Sequence, residues 1–220
     1  SDSFRKIIRL LETGRINNIH IDVMRPPMIP KQTKFSLGLL RSLYENLGKG
    51  VDLVIHLMVN DPTKMIYEIN EFIPSARRRK TSLIIQVESF QSEEESIEAL
   101  KILRKFGYKA GICLNLPTPR EALTKRIVEN ADMVLFMSVP MGQGGQKYCD
   151  EAAIRIKNLA EAFPDKFIEV DGGIDSDTIL KVWKAGANAV AIGSFITRSD
   201  NPEETLIKLE HVLEKNCEEG

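Results

Sequence analysis

The chain has few cysteines, few histidines, no long apolar run and no excess of either charge, and each shortage removes a class of function. Its three cysteines, Cys113, Cys149 and Cys217, show no C-x-x-C spacing and leave an odd count. That fits reduced thiols rather than a disulfide framework, and no role is assigned to them. Lysine and arginine together number 30 against 31 acidic residues, a net charge of -1. With the charges spread evenly there is no electrostatic footprint for nucleic acid or for an anionic membrane surface, so neither is an expected partner. No apolar run approaches the ~20 residues that span a bilayer. The opening SDSFRKIIRL also lacks the apolar segment of a secretion signal. A soluble, cytoplasmic protein is expected. There is no linker or low-complexity stretch, and 220 residues are enough for one sizeable core. A single domain over residues 1–220 is the expectation.

What the chain does have is a regular alternation. Ser1 to Gly14 reads as a helix, with Phe4, Ile7, Ile8 and Leu11 at helical spacing and Gly14 as a stop. The strand-like NNIHIDVM from Asn17 to Met24 follows, then a proline-rich loop from Arg25 to Lys34 and a helix from Phe35 to Leu47 before Gly48 and Gly50. Further apolar runs begin at Val51, Ser82, Lys109, Met133, Phe167 and Ala189. Between and after them lie helices opened by Asp61-Pro62 and Thr118-Pro119, or spanning about 91–106, 151–163, 176–185 and 202–215. Near-continuous apolar strands alternating with helices predict an α/β protein with a parallel sheet covered on both faces. Seven strands and eight helices are one strand short of a TIM (β/α)8 barrel. A doubly wound open sheet is the alternative, but its nucleotide fingerprint would follow an early strand, and the glycines here come late.

His20 and Asp22 stand two apart in the first strand and therefore share a face. An imidazole and a carboxylate at the end of a buried strand either pair with each other or bind a metal or a substrate. His56 and Asp171 also fall at or near strand C-terminal ends, which in a barrel converge on the mouth where active sites lie. His20, Asp22, His56 and Asp171 thus form a candidate mixed nitrogen and oxygen site for one divalent ion: Zn, Fe, Mn or Co. The third histidine, His211, sits among charged neighbours in the last helix and reads as a surface residue. Two carboxylates suit inversion at carbon, where one removes a proton on one face and the other delivers a proton on the opposite face. The other reading of Asp171 is a turn residue before Gly172-Gly173.

The late glycines are MGQGGQ from Met141 to Gln146, Gly172-Gly173 and Gly193-Ser194. In a barrel the loops after the last strands commonly bind phosphate through backbone N–H groups. A loop of MGQGGQ composition also needs no ligand, so its placement after the sixth expected barrel strand gives it its weight.

IHIDVM, HLM, MSV followed by GQGGQK, EVDGGI and AGANAVAIGS together resemble ribulose-phosphate 3-epimerase over nearly the whole chain. The resemblance implies a (β/α)8 barrel that works on a ketose phosphate of the pentose phosphate pathway, D-ribulose 5-phosphate to D-xylulose 5-phosphate. It implies a metal on His20, Asp22, His56 and Asp171, with the two aspartates as acid and base. It further implies that Gly142, Gly144, Gly145, Gly172, Gly173, Gly193 and Ser194 surround the phosphate, and that Met24, Met58 and Met137 line the site. Read without the resemblance, those methionines are ordinary core residues. A homo-oligomer is implied as well.

Three departures stand out. The family opens with a strand carrying a serine, whereas this chain starts with SDSF where that strand has just ended, so the first stave is expected to be missing or truncated. RPPMIPK from Arg25 replaces the family's Asp-Gly followed by His-Phe-Val-Pro-Asn, which predicts a stiffer, more basic mouth. Met141 and Gln143 replace a proline and an aromatic, a change that backbone binding of phosphate survives. Two other functions compete with the pentose epimerase: an epimerase of another ketose phosphate, such as a 2-ketohexose 6-phosphate, and a catalytically silent sugar-phosphate-binding protein.

Overall fold

The computed structural model describes residues 2–16, 18–30, 36–46 and 51–217. Asn17, the end of the proline loop at 31–34, Phe35 at the expected helix start, and Leu47, Gly48 and Gly50 lie outside them, as do the side chains of Phe4 and Cys217. Seven strands alternate with helices among the described residues: β1 (Asn18–Met24), β2 (Asp52–Met58), β3 (Thr81–Gln86), β4 (Lys109–Leu114), β5 (Met133–Met137), β6 (Phe167–Asp171) and β7 (Ala189–Ala191). The contacts divide the chain into two compact units, residues 17–135 and residues 1–16 with 136–220.

In the unit of residues 17–135, β1 to β4 pair in parallel in chain order. Each strand is apolar enough to be covered on both faces. Ile21 and Val23 point away from His20 and Asp22 and are fully buried, and β2 and β3 are buried almost throughout. Gly111 on β4 is a packing requirement, because a Cβ there would lie 2.7 Å from Cγ1 of Ile84 on β3. The helix Glu93–Phe106 follows directly from its sequence. The Ser92 hydroxyl accepts from the Glu95 N–H at 3.2 Å, three glutamates occupy the first turn, Arg104 and Lys105 the last, and Gly107 closes it in the left-handed region at φ 93°. Ile97, Leu100 and Leu103 form its buried stripe.

One boundary differs from the sequence expectation. Thr118-Pro119 leads into a single 3-10 turn, Arg120–Ala122, and the helix starts only at Lys125. Thr124 is the effective cap, its hydroxyl accepting from the Ile127 N–H at 3.3 Å, and this local bond sets the start.

In the other unit β6 and β7 pair in parallel, with Asp171 opposite Ala191. Helices Asp2–Glu12, Glu151–Ala162, Thr178–Lys184 and Pro202–Cys217 belong to this unit. Lys6 donates to the carbonyls of Thr197 and Ser199 at 3.1 and 2.9 Å, and Arg15 pairs with Glu210 at 2.6 Å. These contacts tie the first helix to the last segments of the chain. Cys113 and Cys149 are in no disulfide among the described residues, and no described helix is long and apolar enough to cross a membrane.

Candidate active site

The parallel register of β1 and β2 sets Asp22 beside His56 and Met24 beside Met58. Residues paired in this way point to the same side of the sheet, as does His20, two positions before Asp22. Both imidazoles therefore reach one carboxylate oxygen: His20 Nε2 is 3.3 Å and His56 Nδ1 is 3.1 Å from Asp22 Oδ1. The two rings meet edge to face with centroids 5.7 Å apart. His56 is fully buried, His20 nearly so, and the Asp22 side chain is about one-third exposed.

Burial pushes the Asp22 pKa up, but the hydrogen bonds and charges of His20 and His56 outweigh it and hold the carboxyl well below the usual carboxylate range. An ionised carboxylate and two imidazoles with ligand atoms within 4.8 Å of one another are a donor set that fits a divalent ion of borderline softness. Behind His56, the buried Gln86 at the end of β3 places its amide nitrogen 2.7 Å from His56 Nε2. Sequence reasoning missed Gln86, since a lone amide ending the apolar run SLIIQ carries no motif.

The other unit holds the remaining expected residues. Asp171 ends β6, half-buried, with its backbone pinned by Ser138, whose N–H and hydroxyl donate to the Asp171 carbonyl at 2.8 and 3.0 Å. The Ser138 hydroxyl also donates to the Gly172 carbonyl. The chain then turns through Gly172 and Gly173 at φ 119° and 62°. A Cβ on Gly173 would lie 2.4 Å from the Tyr148 nitrogen and 2.8 Å from the Gln146 carbonyl, so the glycine lets the loop after β5 pack directly against the loop after β6. That β5 loop is folded on itself by the Gln146 amide, which donates to the carbonyls of Pro140 and Gln143 at 2.7 and 2.8 Å. Gly142 and Gly145 have positive φ, and the Cβ positions of Gly144 and Gly193 face open space. Met137 lies buried in β5, and Ser194 opens the turn Ser194–Thr197.

Sequence reasoning also missed Arg198. Its guanidinium rests against Gly145, with Nη1 3.2 Å from where a Cβ would stand. Among the described residues no carboxylate pairs with it. The signal was faint, a single arginine one residue past a four-residue turn.

A chain from Bacillus subtilis named ribulose-phosphate 3-epimerase is 32% identical over 197 residues, covering 86% of this chain and 83% of its own. The cytoplasmic isoform from Oryza sativa subsp. japonica is 29% identical over 198 residues, covering 89% and 82%. Among solved structures, KGPDC from Streptococcus mutans in complex with D-R5P superposes with a TM-score of 0.67 at 12% identity, over 97% of this chain and 92% of that one. That likeness shows the fold, an α/β barrel of the TIM type, as the strand and helix alternation predicts. The model of the Ribulose-phosphate 3 epimerase family matches residues 2–197. The chain belongs to that family, and it is an isomerase of the epimerase kind, acting on carbohydrate.

Proposed function

We propose that the enzyme inverts C3 of a ketose phosphate, converting D-ribulose 5-phosphate to D-xylulose 5-phosphate, with Asp22 and Asp171 as the two proton-transferring groups. The observation that carries this reading is the convergence of His20 and His56 on one oxygen of an ionised Asp22 at a strand end. His20, Asp22 and His56, joined by Asp171, hold one divalent ion of the Zn, Fe, Mn or Co type. When bound, the ion supplies Lewis-acid stabilisation of the negative charge that develops on the substrate's oxygens. Asp22, kept ionised by its two imidazoles, takes the C3 proton from one face. Asp171 gives a proton to the other face of the planar enediolate, and the roles exchange in the reverse direction.

Gly142, Gly144, Gly145, Gly172, Gly173, Gly193 and Ser194 offer backbone to the substrate phosphate, and the positive φ values along these loops support such an anion-binding concavity. Arg198 adds a full positive charge beside Gly145. Met24, Met58 and Met137 form the apolar, polarizable lining. The chain is read as one ribulose-phosphate-binding barrel domain acting in the cytoplasm as a homo-oligomer, the location supported by the cytoplasmic rice relative.

The test is conversion of D-ribulose 5-phosphate to D-xylulose 5-phosphate by protein stripped with a chelator and then reloaded with each of the four ions. Activity that vanishes on stripping and returns with at least one ion is the expected result. A protein that turns over the substrate equally well after stripping overturns the metal reading. One that turns over only a 2-ketohexose 6-phosphate moves the substrate assignment.

A further inference from the structure

Gln86 is fully buried at the end of a strand whose preceding residues Leu83, Ile84 and Ile85 are apolar and equally buried. An amide in such surroundings is costly unless it is hydrogen-bonded. Its side chain has His56 as its hydrogen-bond partner, Nε2 to Nε2 at 2.7 Å, while its buried Oε1 has none among the described residues. The other His56 nitrogen, Nδ1, faces Asp22 Oδ1 at 3.1 Å.

A neutral imidazole carries one N–H, so the two ends of the ring are coupled. With the amide nitrogen toward it, His56 Nε2 must accept, the proton sits on Nδ1, and Nδ1 donates to Asp22. Such a ring has no lone pair on the Asp22 side. With the amide turned by half a rotation, Gln86 Oε1 accepts from Nε2–H, and the Nδ1 lone pair is bared beside the Asp22 carboxylate. One N–H breaks at Nδ1 and one forms at Nε2, so the ring stays neutral and the proton count is unchanged. We propose that Gln86 is a positioning residue that selects the His56 tautomer, presenting its nitrogen in the metal-free protein and its oxygen in the metal-loaded one. The loaded half of this statement rests on the metal reading above.

The experiment is long-range proton–nitrogen NMR of the three histidine rings in full-length, 15N-labelled protein, without metal and with Zn(II), in wild type, Gln86→Glu and Gln86→Leu. A His56→Asn sample assigns the ring. Wild type should show His56 protonated on Nδ1 without metal and on Nε2 with Zn(II). Gln86→Glu, which offers only acceptor oxygens, should carry the Nε2 proton already without metal and keep its Zn(II) affinity within a few-fold. Gln86→Leu should lose roughly 10- to 100-fold in Zn(II) affinity, the usual effect of removing a residue that orients a ligating histidine. A tautomer unchanged between the metal-free and loaded wild type, or a Gln86→Leu protein with undiminished affinity, overturns the proposal. If wild type takes up no Zn(II) at these histidines, the metal reading fails. The metal-free comparison of wild type with Gln86→Glu then decides the role of Gln86 alone, and identical tautomers there overturn it.

Discussion

Asp22 is the residue on which the proposed chemistry turns. Two imidazoles on neighbouring strands reach one oxygen of its carboxylate, and in the proposed reaction losing that charge removes both a proton acceptor and the group that His20 and His56 face. Asp22→Asn keeps the shape and removes the charge, so kcat should fall by roughly 10²- to 10⁴-fold, the usual contribution of a positioned acid or base. The check is a coupled assay for xylulose 5-phosphate beside a thermal melt, and a kcat within a few-fold of wild type would rule out Asp22 as the proton acceptor. His20, Asp22 and His56 were legible in the sequence because period-two spacing and strand-end placement are local facts. Gln86 was not, since its meaning comes from the neighbouring strand, where parallel pairing puts His56 opposite Ile84 and brings Gln86, two residues on, to the same face.

The elements repeat that contrast. Strand runs such as VDLVIHLMV and helices with both caps written into them, such as Ser92 and Gly107 around residues 93–106, were readable from pattern alone. The helix after Pro119 was misplaced because proline is compatible both with a helix start and with a 3-10 turn, and the Thr124 hydroxyl decided between them. The glycine loops were legible as glycines but not as packing. Gly173→Ala forces a Cβ to 2.4 Å from the Tyr148 nitrogen at φ 62°. It should lower the unfolding free energy by about 1–3 kcal/mol, measured by urea denaturation. A change below a few tenths would mean that the two loops do not pack as described. At the same face of this unit, Arg198→Met should raise KM for the phosphorylated ketose roughly tenfold with kcat nearly unchanged, the loss expected for one charge-assisted hydrogen bond. An unaltered KM would remove Arg198 from the proposed phosphate site.

For the whole molecule, the barrel class was legible because alternation of buried strands and helices leaves few architectures, and the late position of the glycines argued against the open sheet. The proposed metal ligands come from three separate stretches of the sequence, at residues 20 and 22, 56 and 171, so the unfolded chain offers no comparable site. An ion held at 100 times its Kd should stabilise the native protein by about 2.7 kcal/mol. Chelation should therefore lower the melting temperature, and a melt unmoved by any of the four ions would speak against the site. The most direct measurement is solvent deuterium incorporation at C3 of D-ribulose 5-phosphate, followed by NMR with Zn, Fe, Mn or Co present, in wild type and Asp171→Asn. Metal-dependent exchange accompanied by xylulose 5-phosphate in wild type, with inversion abolished in the variant, is the predicted result. Wild type that exchanges no C3 hydrogen with any ion, or an Asp171→Asn protein that inverts as fast as wild type, would contradict the two-carboxylate epimerase.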